Sequence, residues 1–110
     1  MVKERDRKVI SKTIQRYLKV LKENKINFKK VYLYGSCVRG DFTNDSDIDL
    51  AIVSDEFTGD FIDDGLLLMR LRRQVDSRIE PHPFLSDDFT PDNPFVKHII
   101  ETGEEIEFKE

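Results

Sequence analysis

Gly35-Ser36, followed after ten residues by Asp47-Ile48-Asp49, narrows the possible folds of this chain more than any other feature. An apolar run over 28–34 stops at the glycine, and a second run over 47–53 starts at the first aspartate. If the second run is a strand, alternate side chains share a face. The two carboxylates then project together, about 7 Å apart along the backbone. Carboxylates so placed can bridge a pair of hard divalent cations roughly 3.5–4 Å apart, an arrangement suited to in-line displacement at phosphorus.

The remaining elements follow from periodicity and punctuation. Ile10, Ile14, Tyr17, Leu18 and Leu21 recur at three- and four-residue spacing and predict a helix over 4–24. The strand over 28–34 leads into the glycine, a short helical turn runs through Arg39, and the polar stretch 41–46 returns the chain to the strand over 47–53. A second helix is expected over 60–74, with Phe61, Leu67, Leu68 and Leu71 as its apolar stripe. A third strand over 77–84 carries Pro81 and Pro83, which lack ladder donors and favour a sheet edge. Pro94 can open a short helix to residue 101, Gly103 can stop it, and 105–108 alternates like a last short strand. The expected fold is α/β (α+β), a small mixed sheet with helices packed on it, in a single domain over 1–110.

A chain of 110 residues supports one core. No apolar run approaches the ~20 residues that cross a bilayer. The first residues lack the apolar segment of a secretory signal, and the single cysteine, Cys37, cannot form an internal disulfide. A cytoplasmic protein with no membrane contact is expected. Net charge is −4 but uneven: residues 1–30 carry eleven Lys/Arg against three Asp/Glu, and residues 31–110 carry seven against nineteen. The basic segment is either a solvated helix face or an attractor for nucleic acid, nucleotide phosphates or an acidic partner. The acidic remainder argues against nucleic-acid binding over the whole surface. A domain this small can also hide apolar surface in a homodimer or partner interface, for which Phe57, Phe89 and Phe95 are candidates.

Glycine at 35 lets the backbone approach a ligand closely. If a helical turn starts at Ser36, its N–H groups and the hydroxyl can hold phosphate oxygens, and Arg39 can add a charge-assisted contact. The bland alternative is an ordinary capped turn, and the following aspartate pair is what favours the ligand site. Gly35-x-x-x-x-Gly40 is not a P-loop, because Asp41-Phe42 stands where Lys-Ser/Thr is required. Arg39-Gly40-Asp41 spells an adhesion tripeptide without the context that would give it meaning. Magnesium takes one or two carboxylates plus phosphates and water. Glu80, the only acid within the third strand, is the best further ligand and can help deprotonate a hydroxyl. His82 shares its face on a regular strand, although an exposed or structural histidine is the favoured reading. Asp45, in the turn before Ser46, is expected to cap the strand entry rather than bind metal, Asp55, Glu56, Asp63 and Asp64 to be solvated, and Cys37 to be a small packing residue.

With those residues in place, the chain resembles the nucleotidyltransferase superfamily typified by DNA polymerase β, and most of all its minimal, MNT-type members. The string that carries the likeness is Gly35-Ser36-Cys37-Val38-Arg39-Gly40-Asp41, continued by Ser46-Asp47-Ile48-Asp49-Leu50. The resemblance implies a polymerase β-like nucleotidyltransferase fold that transfers a nucleoside monophosphate, typically AMP from ATP, to an acceptor hydroxyl with two Mg²⁺ ions. Asp47, Asp49 and Glu80 then form the catalytic and metal-binding set; the family commonly has Asp where Glu80 stands. Gly35, Ser36 and Arg39 hold the triphosphate. Larger relatives carry a second domain for the acceptor, which a chain of this length does not hold. Minimal members are often paired with a HEPN-domain toxin and act as its antitoxin by adding AMP to it, so a HEPN-like partner protein is the implied acceptor. Two other readings stay open: a non-catalytic module that masks a partner by contact, and a subunit of a small-molecule or RNA nucleotidyltransferase.

Overall fold

The computed structural model describes residues 4–39, 43 and 45–109; Gly40 and Asp41 of the motif lie outside them. The elements are α1 (Glu4–Glu23), β1 (Lys30–Tyr34), α2 (Ser36–Arg39), β2 (Ile48–Val53), α3 (Phe61–Arg72), β3 (Ile79–Phe84), a 3-10 turn (Ser86–Asp88), α4 (Pro94–Thr102) and β4 (Glu104–Glu105). The sheet order is β3-β2-β1-β4, with β1 antiparallel to both β2 and β4 and β2 parallel to β3. This is the expected mixed sheet with helices on it. β3 lies at an edge, where Pro81 and Pro83 cost no ladder hydrogen bond.

The predicted α1 stripe is the core. Ile10, Ile14, Tyr17, Leu18 and Leu21 are buried against Val31, Leu33, Ile48, Leu50, Ile52 and Ile79 of the sheet, with Leu68 and Leu71 of α3 closing the same cluster. Tyr17 donates its hydroxyl to the Leu68 carbonyl at 2.8 Å, fastening α1 to α3. α1 ends in a Schellman motif: Ile26 N–H bonds the Leu21 carbonyl and Lys25 N–H the Lys22 carbonyl, with Lys25 at φ 64 where glycine is usual. The opposite face of the sheet presents Tyr32, Tyr34, Ala51 and Val53 to Val96 and Ile99 of α4 and to Phe89. Asn93 caps α4 with Pro94 at its start, and Gly103 ends it. Gly103 is needed less for its dihedrals than for space, since a Cβ would lie 2.6 Å from the Ile99 carbonyl oxygen and 2.8 Å from that of Leu33.

Three expectations need correction. The last strand pairs through Glu104 and Glu105, opposite Leu33 and Tyr32, rather than over 105–108. Ile106 still donates to the Val31 carbonyl at 2.8 Å, and Ile106 and Phe108 pack on the core, so the alternation marks packing beyond the ladder. The buried positions of α3 are Asp64, Leu68 and Leu71, while Phe61 and Leu67 of the predicted stripe are exposed. Phe57 and Phe89, expected at an interface, are core residues; of the three phenylalanines only Phe95 is exposed.

Candidate active site

Strand alternation sends Asp49 to the α4 face of the sheet, alongside Ala51 and Val53. Asp49 is directly opposite Tyr34 on β1 and Glu80 on β3, so the two acids stand side by side on adjacent strands. α4 covers the Tyr32, Val53 and Phe89 part of this face and leaves the acids half-exposed. Asp47 precedes β2 and is exposed. Burial raises the Asp49 carboxyl above the ordinary carboxylate range, opposed by the charge of His82 and reinforced by Asp47 and Glu80, with Arg39 also acting to lower it. That set of influences locates the predicted residues Asp47, Asp49, Glu80 and Arg39 within one electrostatic neighbourhood.

Gly35 is the pivot of the turn. Its φ of +80 is in the left-handed region, and an added Cβ would sit 2.5 Å from Asp49 Oδ2. Only a glycine lets the turn and the carboxylate share that space. The Gly35 carbonyl accepts the N–H groups of Val38 and Arg39, both at 3.0 Å, which starts α2 with Ser36 at its first position. Cys37 is buried in the aliphatic core, its Sγ 3.5 Å from the Asp47 carbonyl oxygen. Burial and the nearby Asp49 push its thiol up to about 11, which suits a packing role.

Three neighbours extend the predicted set. Arg72 donates from Nη1 to Glu80 Oε1 at 3.3 Å and to the Ile79 carbonyl at 2.8 Å, drawing Glu80 toward α3. Nothing in the sequence announces this pair, which depends on how α3 packs beside β3. Tyr34 is buried between His82 and Phe95, with ring centroids 6.0 and 5.8 Å away. Its hydroxyl is buried with no hydrogen-bond partner among the described residues, and burial with the charges of Asp49 and Glu80 raises its pKa. His82, favoured above as exposed or structural, is half-buried beside Tyr34 and its charge reaches Asp49; the two-residue alternation from Glu80 was the available signal.

Other acids behave differently from expectation. Asp64 is buried and accepts from Thr58 N–H, Thr58 Oγ1 and Gly59 N–H, so it organises the loop before α3. Asp55 meets Lys29 Nζ at 2.6 Å and both the N–H and hydroxyl of Ser86 at 3.0 Å. Among the described residues before β2, Thr43 N–H and its hydroxyl meet the Ser46 hydroxyl at 2.8 and 3.2 Å, and Asp45 joins them through its N–H to Thr43 Oγ1 at 3.3 Å.

Residues 14–107 match the family model of the nucleotidyltransferase domain. This chain belongs to that nucleotidyltransferase family. The fold of the domain is shared with a crystal structure of a candidate nucleotidyltransferase from Sulfolobus solfataricus, at a TM-score of 0.62 and 17% identity over 87% of this chain and 78% of that one. No curated protein matches the chain significantly. Nucleotidyltransferase domains generally use a nucleoside triphosphate and a divalent metal, and the donor set here fits that chemistry. Among the described residues no three His, Cys, Asp or Glu side chains converge as a ready-made cage. A hard cation that takes one or two carboxylates and completes its shell with phosphates and water needs no such cage. The carboxylate crowding at Asp49 is what a cation would neutralise.

Proposed function

We propose that this nucleotidyltransferase domain transfers AMP from ATP to a hydroxyl of an acceptor protein. Asp47 and Asp49 would hold the metal, with Glu80 completing the set. Gly35, Ser36 and Arg39 would bind the triphosphate, the glycine by admitting it close to the backbone and the arginine by charge. Bound Mg²⁺ would supply charge neutralisation at the phosphates and polarise the attacking oxygen. That oxygen forms its bond to the α-phosphorus as the bond to pyrophosphate breaks, and the hydroxyl proton passes to Glu80. No covalent enzyme intermediate is needed, because positioning and electrostatics carry the step. The observation that supports this reading best is the lateral pairing of Asp49 with Glu80 directly beside the Gly35 turn.

The acceptor we favour is a HEPN-like toxin, which gives the domain an antitoxin role; this rests on the likeness of the Gly35 to Leu50 string to MNT-type members. Incubating the domain and co-purifying proteins with Mg²⁺ and α-labelled ATP tests it. Label on a partner protein, absent with Asp47→Ala/Asp49→Ala, is the expected result. Label on RNA would redirect the acceptor, and partner binding without label would replace transfer by masking.

A further inference from the structure

Glu80 is held from the other side of the sheet. α3 packs on the face opposite Asp49, yet Arg72 in its last turn meets the acid at the edge strand β3. Its Nη1 donates to the Ile79 carbonyl at 2.8 Å and to Glu80 Oε1 at 3.3 Å. The shorter bond ties the guanidinium to the backbone of the residue beside Glu80, so the donor is fixed in the frame of β3 itself. The helix that carries it is fixed as well. About one turn earlier the Leu68 carbonyl accepts the Tyr17 hydroxyl at 2.8 Å, and Leu68 and Leu71 are buried. The Arg72 and Glu80 side chains are 21 and 35% exposed, so water screens this pair less than it screens a surface ion pair.

One carboxylate oxygen is engaged and the other is not. Oε1 takes the arginine, while Oε2 has no hydrogen-bond or ion-pair partner among the described residues. Glutamate is among the side chains that lose most rotamer freedom when held in one position. An arginine fixed at one oxygen removes part of that freedom before any ligand arrives, as hydrogen-bonding neighbours of metal-binding carboxylates do.

We infer that Arg72 is a positioning residue of the site: it holds Glu80 by Oε1 and leaves Oε2 for the cation or the acceptor hydroxyl. Its role depends on Glu80 belonging to the metal-binding set proposed above. Arg72 touches neither nucleotide nor acceptor and acts through Glu80.

Arg72→Met, Glu80→Gln and the double variant test this as a double-mutant cycle with two readouts. One is AMP transfer. The other is Mn²⁺ binding by the protein alone, followed by electron paramagnetic resonance, which needs no acceptor and no turnover; Mn²⁺ takes the same oxygen ligands as Mg²⁺. Arg72→Met should lower kcat about 10- to 100-fold and weaken Mn²⁺ binding about tenfold, with KM for ATP unchanged. Loss of a positive charge alone would strengthen cation binding, so weakening reports orientation. On the Glu80→Gln background the same substitution should change either readout less than about twofold. Circular dichroism gives the folded fraction; per folded molecule, a merely structural arginine would leave both readouts where they are. Arg72→Lys keeps the charge and the apolar stem but not the rigid fork, so it should fold even where Arg72→Met does not and show a smaller loss in the same direction. Mn²⁺ binding that is unchanged or tighter in the folded variants overturns the inference, and so do losses that add in the double variant. A wild type without transfer overturns the proposed reaction, and the Mn²⁺ cycle then decides the role of Arg72.

Discussion

On the face covered by α1 and α3, Ile14, Leu18, Leu21, Leu50 and Ile52 are almost completely enclosed and form a continuous aliphatic layer. On the other face α4 buries Val96 and Ile99, with Ile100 beside them, in a smaller cluster rich in aromatic rings, and the sheet surface beyond it carries Asp49, Glu80 and His82. The same strands serve both faces, since alternation assigns Ile48, Leu50 and Ile52 to one and Asp49, Ala51 and Val53 to the other. Stability is thus concentrated on one side, and that surplus lets the other side hold the Asp49 carboxylate beside Glu80, where burial opposes its charge.

The sharpest way to break this division is through the enclosed face. Leu18→Ala should destabilise by about 3 kcal/mol, measured by urea unfolding, because α1 and the sheet are too tightly packed to close the cavity. Its activity per folded molecule should be unchanged. Gly35→Ala comes next. Placing a side-chain carbon in a left-handed turn costs about 1–2 kcal/mol, and the 2.5 Å approach to Oδ2 must also displace the Asp49 carboxylate. Nucleotide transfer should therefore fall far more than stability does.

Tyr34→Phe acts in the opposite direction. It removes a buried hydroxyl that has no partner among the described residues, so thermal stability should hold or increase by about 1 kcal/mol. The smallest effect belongs to Asp55, held at about 2 by its hydrogen bond to Lys29 and by Ser86. Its contribution is present above the ordinary carboxylate value of about 3.9 and is lost as pH falls toward 2. Asp55→Asn should slightly reduce stability at neutral pH, have no effect near pH 1.5 (roughly, below both values), and matter less in high salt, as acid-unfolding curves would show.

Much of this division was legible in the sequence. The α1 spacing, the break at Gly35, the alternation that sends Asp49, Ala51 and Val53 to one face and the proline-marked edge each depend on local geometry, and each appears where expected, although β2 starts at Ile48, one residue after Asp47. Features that depend on how elements meet were not legible. Glu80 is drawn to Arg72 only because α3 packs beside β3. Tyr34 has no hydrogen-bond partner among the described residues where the rings of His82 and Phe95, from β3 and α4, lie against it. The α3 stripe was misassigned because a helix apolar on nearly every side gives periodicity no preferred face. Asp64 was expected in solvent because its role in the Thr58-Gly59 loop is set by the loop's fold.

Asp49→Asn tests the central claim most directly, with transfer of α-labelled AMP and thermal unfolding measured on the same metal-free-purified preparation. Burial and neighbouring carboxylates raise the Asp49 pKa, so the ionised group opposes folding at neutral pH and the amide relieves that opposition. The expected result is transfer reduced at least about 100-fold with a melting temperature equal to or above that of the wild type. Retained transfer, or a melting temperature lowered as far as by Leu18→Ala, would contradict the account.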